Sequence, residues 1–130
     1  MIGSTRQIRV FAYTAPADMR KGHDTLAALV RQQLGHDPLS GDYYLFVARN
    51  RVRAKVLLWD GTGLCLYAKR LERGRFASLW ERAAQNASCG PLLLTVSELS
   101  LFLEGSLLVG KIPLSPPPFL LNQKPVKKRA

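Results

Sequence analysis

Apolar and polar positions change their period several times along the chain, and each change marks an element. Ile8 to Tyr13 alternates and is rich in β-formers, which predicts a first strand. Thr14-Ala15-Pro16-Ala17-Asp18 breaks it, and Asp18 is a candidate N-cap for a helix over about Met19 to Leu34. Leu26, Leu29, Val30 and Gln33 recur there at helical spacing, Arg31 and Gln32 face away, and Gly35 closes the helix. A loop of turn-forming residues, His36 to Asp42, follows. Tyr43 to Ala48 is continuously apolar, which predicts a central strand. Arg49 to Arg53 turns the chain into a third strand, Lys55 to Trp59. Asp60-Gly61-Thr62-Gly63 is a tight-turn signal before a fourth strand, Leu64 to Ala68. Three adjacent strands with two short loops make an antiparallel meander.

Ala77 to Ala87 has helical character, with Leu79, Trp80, Ala83 and Ala84 as inward positions. Thr95 or Ser97 caps a last helix, Val96 to Leu103, which buries Leu99, Phe102 and Leu103 and ends at Gly105. Beyond it, Pro113, Pro116, Pro117, Pro118 and Pro125 forbid regular structure. Lys124, Lys127, Lys128 and Arg129 charge this stretch with no acid among them. The pattern predicts one α+β domain over residues 1–110 and a flexible, Pro-rich basic tail over residues 111–130. The sheet is expected to be small and mostly antiparallel, about four strands with a central meander, packed by two to three helices.

Composition adds a partner class. Of 130 residues, 47% are hydrophobic, enough for a core, yet 19 Lys and Arg stand against nine Asp and Glu, a net charge of +10. Such an excess favours polyanions, phosphate backbones first and anionic membranes second. No run of about 18 apolar residues could span a membrane and the N-terminus has no apolar signal core, so the cytoplasm is the default compartment. Cys65 and Cys89 lack zinc spacing, and no cofactor is expected. Cys65 lies in an apolar run and reads as a buried free thiol.

The charge is concentrated. Arg49, Arg51, Arg53, Lys55, Lys69, Arg70, Arg73 and Arg75 face only Asp60 and Glu72 within the same stretch. The first four are spaced by two and project from one face if the hairpin stays extended. They are either a phosphate-binding ribbon or a solvated hairpin tip. Arg20 and Lys21, after Asp18, form either a phosphate clamp at a helix start or a local pairing with Asp18. Among the aromatic residues, Trp59 adjoins a turn and is the best candidate to stack on a base. Catalysis is poorly supplied. His23 and His36 have no nearby Ser or Cys to activate, and the acids stand singly. Asp18, Asp37 and Asp60 would have to converge for metal-dependent nuclease chemistry, and turn or cap roles already explain each.

An ordered series of motifs completes the reading. It comprises Asp18-Met19-Arg20-Lys21-Gly22 with Asp24 and Leu26, Asp37-Pro38 with Ser40-Gly41, Phe46, Asn50-Arg51, Lys55 and Leu58-Trp59-Asp60. Gly63, Cys65-Leu66, Lys69-Arg70-Leu71-Glu72 with Gly74 and Phe76, then Leu99 and Leu103-Glu104-Gly105, continue it. Over residues 6 to 105 the chain resembles the TnpB-type accessory proteins of the bacterial insertion sequence sixty-six family, which are distinct from the RNA-guided nucleases that share those letters. It departs from the family's aromatic-proline step after Phe76 and from its short Trp-containing segment after Gly105. The resemblance implies a non-catalytic accessory role in transposition, beside a separate transposase. The expected partners are DNA, notably duplex at element ends, and the transposase and other accessory proteins of the element. The main alternative is an adaptor that contacts the transposase through apolar residues such as Leu101 and Leu108, with DNA binding secondary.

Overall fold

The computed structural model describes residues 7–85 and 91–105. Cys89, Leu108 and the expected basic tail lie outside the described residues. Five strands and three helices follow in order: β1 (Val10–Ala12), α1 (His23–Leu29), β2 (Tyr43–Val47), β3 (Arg53–Trp59), β4 (Leu64–Arg70), α2 (Leu79–Gln85), β5 (Leu92–Leu94) and α3 (Val96–Leu103). α1 runs directly into a π-helical stretch, Val30–Leu34. The strands form one sheet in the order β4-β3-β2-β1-β5. β1 and β2 are parallel, and the other neighbouring pairs are antiparallel. The α+β architecture and the β2-β3-β4 meander match the sequence pattern. The extra strand is β5, three residues that pair with β1 at the sheet edge.

Side chains on the two faces of the sheet fill two cores. On one face Phe11, Tyr44, Phe46 and Leu57 pack against Leu26, Ala27, Val30 and Leu34. On the other, Val10, Leu45, Val47 and Val56 pack against Phe76, Leu79, Leu99 and Phe102. β2 lies at the centre of the sheet with Tyr44 to Val47 all inaccessible to water, which is why its sequence is apolar at consecutive positions. The parallel β1–β2 pair needs a crossover, and α1 supplies it on the first face.

The first helix begins later than its apolar pattern suggests. Asp18 is not its N-cap; the cap position is Gly22, which has no side-chain bond to offer. The Asp18 carboxylate instead accepts the Arg20 backbone N–H at 2.9 Å, and the Lys21 N–H closes a turn on the Asp18 carbonyl at 3.1 Å. The carbonyls of Met19 and Lys21, which a helix would need, accept the Lys55 ammonium instead. At the far end the π-helical stretch widens the turn and shifts the phase. Leu34, not Gln33, therefore points into the core, and Gly35 ends the segment at φ 69°. α3 matches its sequence limits. Thr95 caps it through a reciprocal box with Glu98, at 3.0 Å and 2.8 Å.

Candidate nucleic-acid interface

Sheet topology sends five segments to one end of the molecule. β1 and β2 finish there, β3 starts there, β4 finishes there, and the loop from Tyr13 to Gly22 crosses it. The Tyr13 and Ala17 N–H groups donate to the carbonyls of Leu45 and Val47, each at 2.9 Å. Loop 71–76 folds back on the β2–β3 turn, with Leu71 N–H on the Val52 carbonyl at 2.8 Å and Phe76 N–H on the Arg51 carbonyl at 2.6 Å. The ten candidate cations of the folded region thus meet at one end: Arg20, Lys21, Arg49, Arg51, Arg53, Lys55, Lys69, Arg70, Arg73 and Arg75. Asp18 and Glu72 accompany them, each paired to a neighbouring arginine, Arg20 at 2.9 Å and Arg70 at 3.6 Å. The opposite end carries Asp37, Asp42 and Asp60, with Arg9 ion-paired to Asp42 at 2.9 Å.

The cations do not project as one extended row. Arg49 and Arg51 belong to the turn, where the Arg51 N–H bonds the Ala48 carbonyl at 2.9 Å and Asn50 Oδ1 accepts from Val52 at 3.0 Å. Arg51 sits at φ 60°, a conformation that disfavours a side chain, and its guanidinium donates to the Phe76 carbonyl at 3.3 Å. Only Arg53 and Lys55 share a strand face, the one covered by α1, because they alternate with Leu57. Arg70 lies directly opposite Arg53 on that face, and Lys69 projects from the other.

Lys55 has a structural task. Its ammonium lies 2.8 Å from the Met19 carbonyl and 2.9 Å from that of Lys21, holding the Asp18–Gly22 turn over the β3–β4 ribbon. A groove of about 420 Å³ remains between them, lined by Met19, Arg53, Lys55, Ala68 and Arg70 and reaching Lys69. The small Ala68 opposite Lys55 leaves its floor low. Arg20 clasps Asp18 with both Nε and Nη2, and this pairing lowers the Asp18 pKa to about 2. The local pairing foreseen for this segment is therefore present.

The remaining candidates are dispersed. Trp59 ends β3 at the opposite end, a strand's length from the basic groove. Asp60 accepts from the backbone N–H groups of Thr62 and Gly63, each at 2.9 Å, which lowers its pKa to about 2. Asp37 caps its own turn through the Leu39 N–H, and Asp18 is spent on Arg20. These three acids do not converge, and among the described residues no group of three His, Cys, Asp or Glu is placed to hold a metal. Cys65 is half-buried rather than buried, and desolvation raises its thiol pKa. Asp42 had no role in the sequence pattern. It is fully buried and accepts both the backbone N–H and the guanidinium of Arg9, at 3.1 Å and 2.9 Å. Only an unusual acid before an apolar strand hinted at it. Among the described residues no helix is long and apolar enough to cross a membrane.

No solved structure matches the chain. It is similar to y4hO of Sinorhizobium fredii, an uncharacterized protein, at 37% identity over 105 residues, which is 81% of this chain and 86% of that protein. It is also similar to y4jC of the same organism, likewise uncharacterized, at 42% identity over 76 residues, 58% of this chain and 65% of that protein. The family described as IS66 Orf2 like protein matches residues 8–109, which span the whole ordered series of motifs and both cores. The chain belongs to this IS66 Orf2-like family, which has an accessory role in the transposition of insertion sequences.

Proposed function

We propose that this chain grips duplex DNA through the basic end of its sheet and so assists a separate transposase. The observation that carries this reading is the meeting of ten cations from separate segments at one end of the sheet, where they outnumber the acids, Asp18 and Glu72 being paired to Arg20 and Arg70. Like charges held this close repel, and an anion relieves the repulsion. Arg53 opposite Arg70 is the clearest case, since a cross-strand pair of equal sign is unfavourable by itself. Arginine forks match phosphate oxygens, and a groove between a ribbon and a loop can seat a backbone strand.

The test is a salt series of fluorescence anisotropy with two duplexes, one carrying an element end and one of random sequence. Affinity should fall linearly in log–log form as salt rises. Arg53→Ala with Arg70→Ala should weaken both duplexes, and a preference for the element end would add sequence readout. Absence of binding to either duplex at low salt would refute the proposal.

A second reading, an adaptor that docks on the transposase, is favoured by Leu93 and Val96, which are 59% and 46% exposed at the β5–α3 junction. Leu101, by contrast, is half-buried against the second core. Co-purification with the transposase after nuclease treatment, lost in Leu93→Asp, would support the adaptor. Failure to co-purify would dismiss it.

A further inference from the structure

β4 is an outer strand of the sheet and pairs only with β3 among the described residues. Its seven residues, Leu64-Cys65-Leu66-Tyr67-Ala68-Lys69-Arg70, contain no proline and carry charge only at one end. Proteins usually blunt such an edge, because its free N–H and C=O groups are a template for another strand. The printed bonds fix which groups are free. Asp60 N–H bonds the Gly63 carbonyl and Leu71 N–H bonds the Val52 carbonyl, so the odd-numbered residues of β4 bond to β3. The backbone groups of Leu64, Leu66, Ala68 and Arg70 point outward.

We propose that β4 pairs antiparallel with β4 of a second copy of this chain, about a two-fold axis at Tyr67. This register sets Leu64 opposite Arg70 and Leu66 opposite Ala68, and these are the residues whose backbone groups are free. A one-residue slip would oppose a bonding residue to a non-bonding one. The charges also fit. Lys69 comes to lie opposite Cys65, whose Sγ is 3.4 Å from the Asp60 carboxylate, so the cation of each copy meets the acid of the other. No cation faces a cation across the new seam. Tyr67, 50% exposed on the single chain, meets its own counterpart at the axis. Behind it an apolar groove of about 230 Å³, lined by Tyr43, Val56, Leu58, Leu99 and Leu103, gives the two rings a surface to pack on. The pairing joins two sheets into one and is isologous, the commonest form of dimer.

Light scattering of the full chain, without DNA, should give a mass near twice the 14.5 kDa of one chain. A monomer at every concentration overturns the proposal, including one whose β4 is taken up only by a different protein. In a background of Cys65→Ser and Cys89→Ser, Tyr67→Cys should form an intermolecular disulfide under mild oxidation. Directly opposed residues in a non-hydrogen-bonded pair bring their Cβ atoms close enough for one. Leu64→Cys, whose register partner is Arg70, should stay reduced. A dimer that gives no Tyr67→Cys disulfide overturns the register. Ala68→Pro removes an outward N–H and leaves the β3 ladder intact, so a folded variant should be monomeric. Should that variant fail to fold, the disulfide pair decides the matter. Because no DNA is present, failure here leaves the DNA-binding proposal standing.

Discussion

Lys55 Nζ donates to the Met19 carbonyl at 2.8 Å, and this bond ties the loop before α1 to the third strand. A second bond reaches the Lys21 carbonyl at 2.9 Å. Lys55→Met keeps the aliphatic stem and leaves both carbonyls without their cation. Charged hydrogen bonds contribute about 1.5–3 kcal/mol each, so urea denaturation should show a loss of about 2 kcal/mol or more. Lys55→Arg should not restore stability, because a planar fork cannot seat one nitrogen between the two carbonyls. A lysine that merely touched phosphate would tolerate arginine, so full stability in Lys55→Arg would contradict the latch.

Arg53 and Arg70 should behave in the opposite way. Each is a cation facing a cation in the ladder. Arg53→Ala should raise stability by a few tenths of a kcal/mol, since opposed like charges cost about that much. The same substitution should weaken DNA binding and reduce the slope of log affinity against log salt by about 0.9 if one phosphate contact is lost. Stability and affinity moving together would mean that the pair serves the fold.

Arg51 is an arginine where the backbone favours glycine, at φ 60°. Arg51→Gly relieves about 1–2 kcal/mol of left-handed strain. It also loses the bond to the Phe76 carbonyl, worth about 1 kcal/mol, and frees the unfolded chain. The net change in thermal stability should therefore be small, within about 1 kcal/mol, while duplex affinity falls. A large destabilisation would instead make Arg51 a structural anchor of loop 71–76.

How far this molecule was legible in its sequence depended on the range of each interaction. β2 was legible because a strand covered on both faces must be apolar throughout, and Tyr43 to Val47 is. α3 was legible because Thr95 and Glu98 are three residues apart and cap it locally. The start of α1 was not, because the residue that stops the helix at Met19 is Lys55, 36 positions away. β5 was hidden for the same reason. Three leucines say nothing until β1 offers an edge. The cations were all visible as residues, but the reading of an extended row failed at the Arg49–Val52 turn, and their convergence with Arg20 and Lys21 is a property of topology. Asp42 was missed because its partner, Arg9, is 33 positions away.

The two tight turns give the last prediction, an acid limb of stability. Asp18 and Asp60 have folded pKa values near 2, against an ordinary 3.8, held down by Arg20 in one case and by the Thr62 and Gly63 N–H groups in the other. A depressed folded value means that the fold favours the ionised carboxylate. The stability so gained is present above the unfolded pKa of about 4 and is lost as pH falls from there towards about 2. Chemical denaturation across that interval should show the wild-type chain weakening progressively. Asp60→Asn keeps one acceptor oxygen for the turn but has no proton to take up. Its stability should be lower than wild type at neutral pH and should fall less steeply between about pH 4 and pH 2. Asp18→Asn should act likewise and independently, because the two turns lie at opposite ends of the sheet, so the double variant should be flatter than either. Parallel acid limbs in all four proteins would show that neither carboxylate is held by its turn in solution.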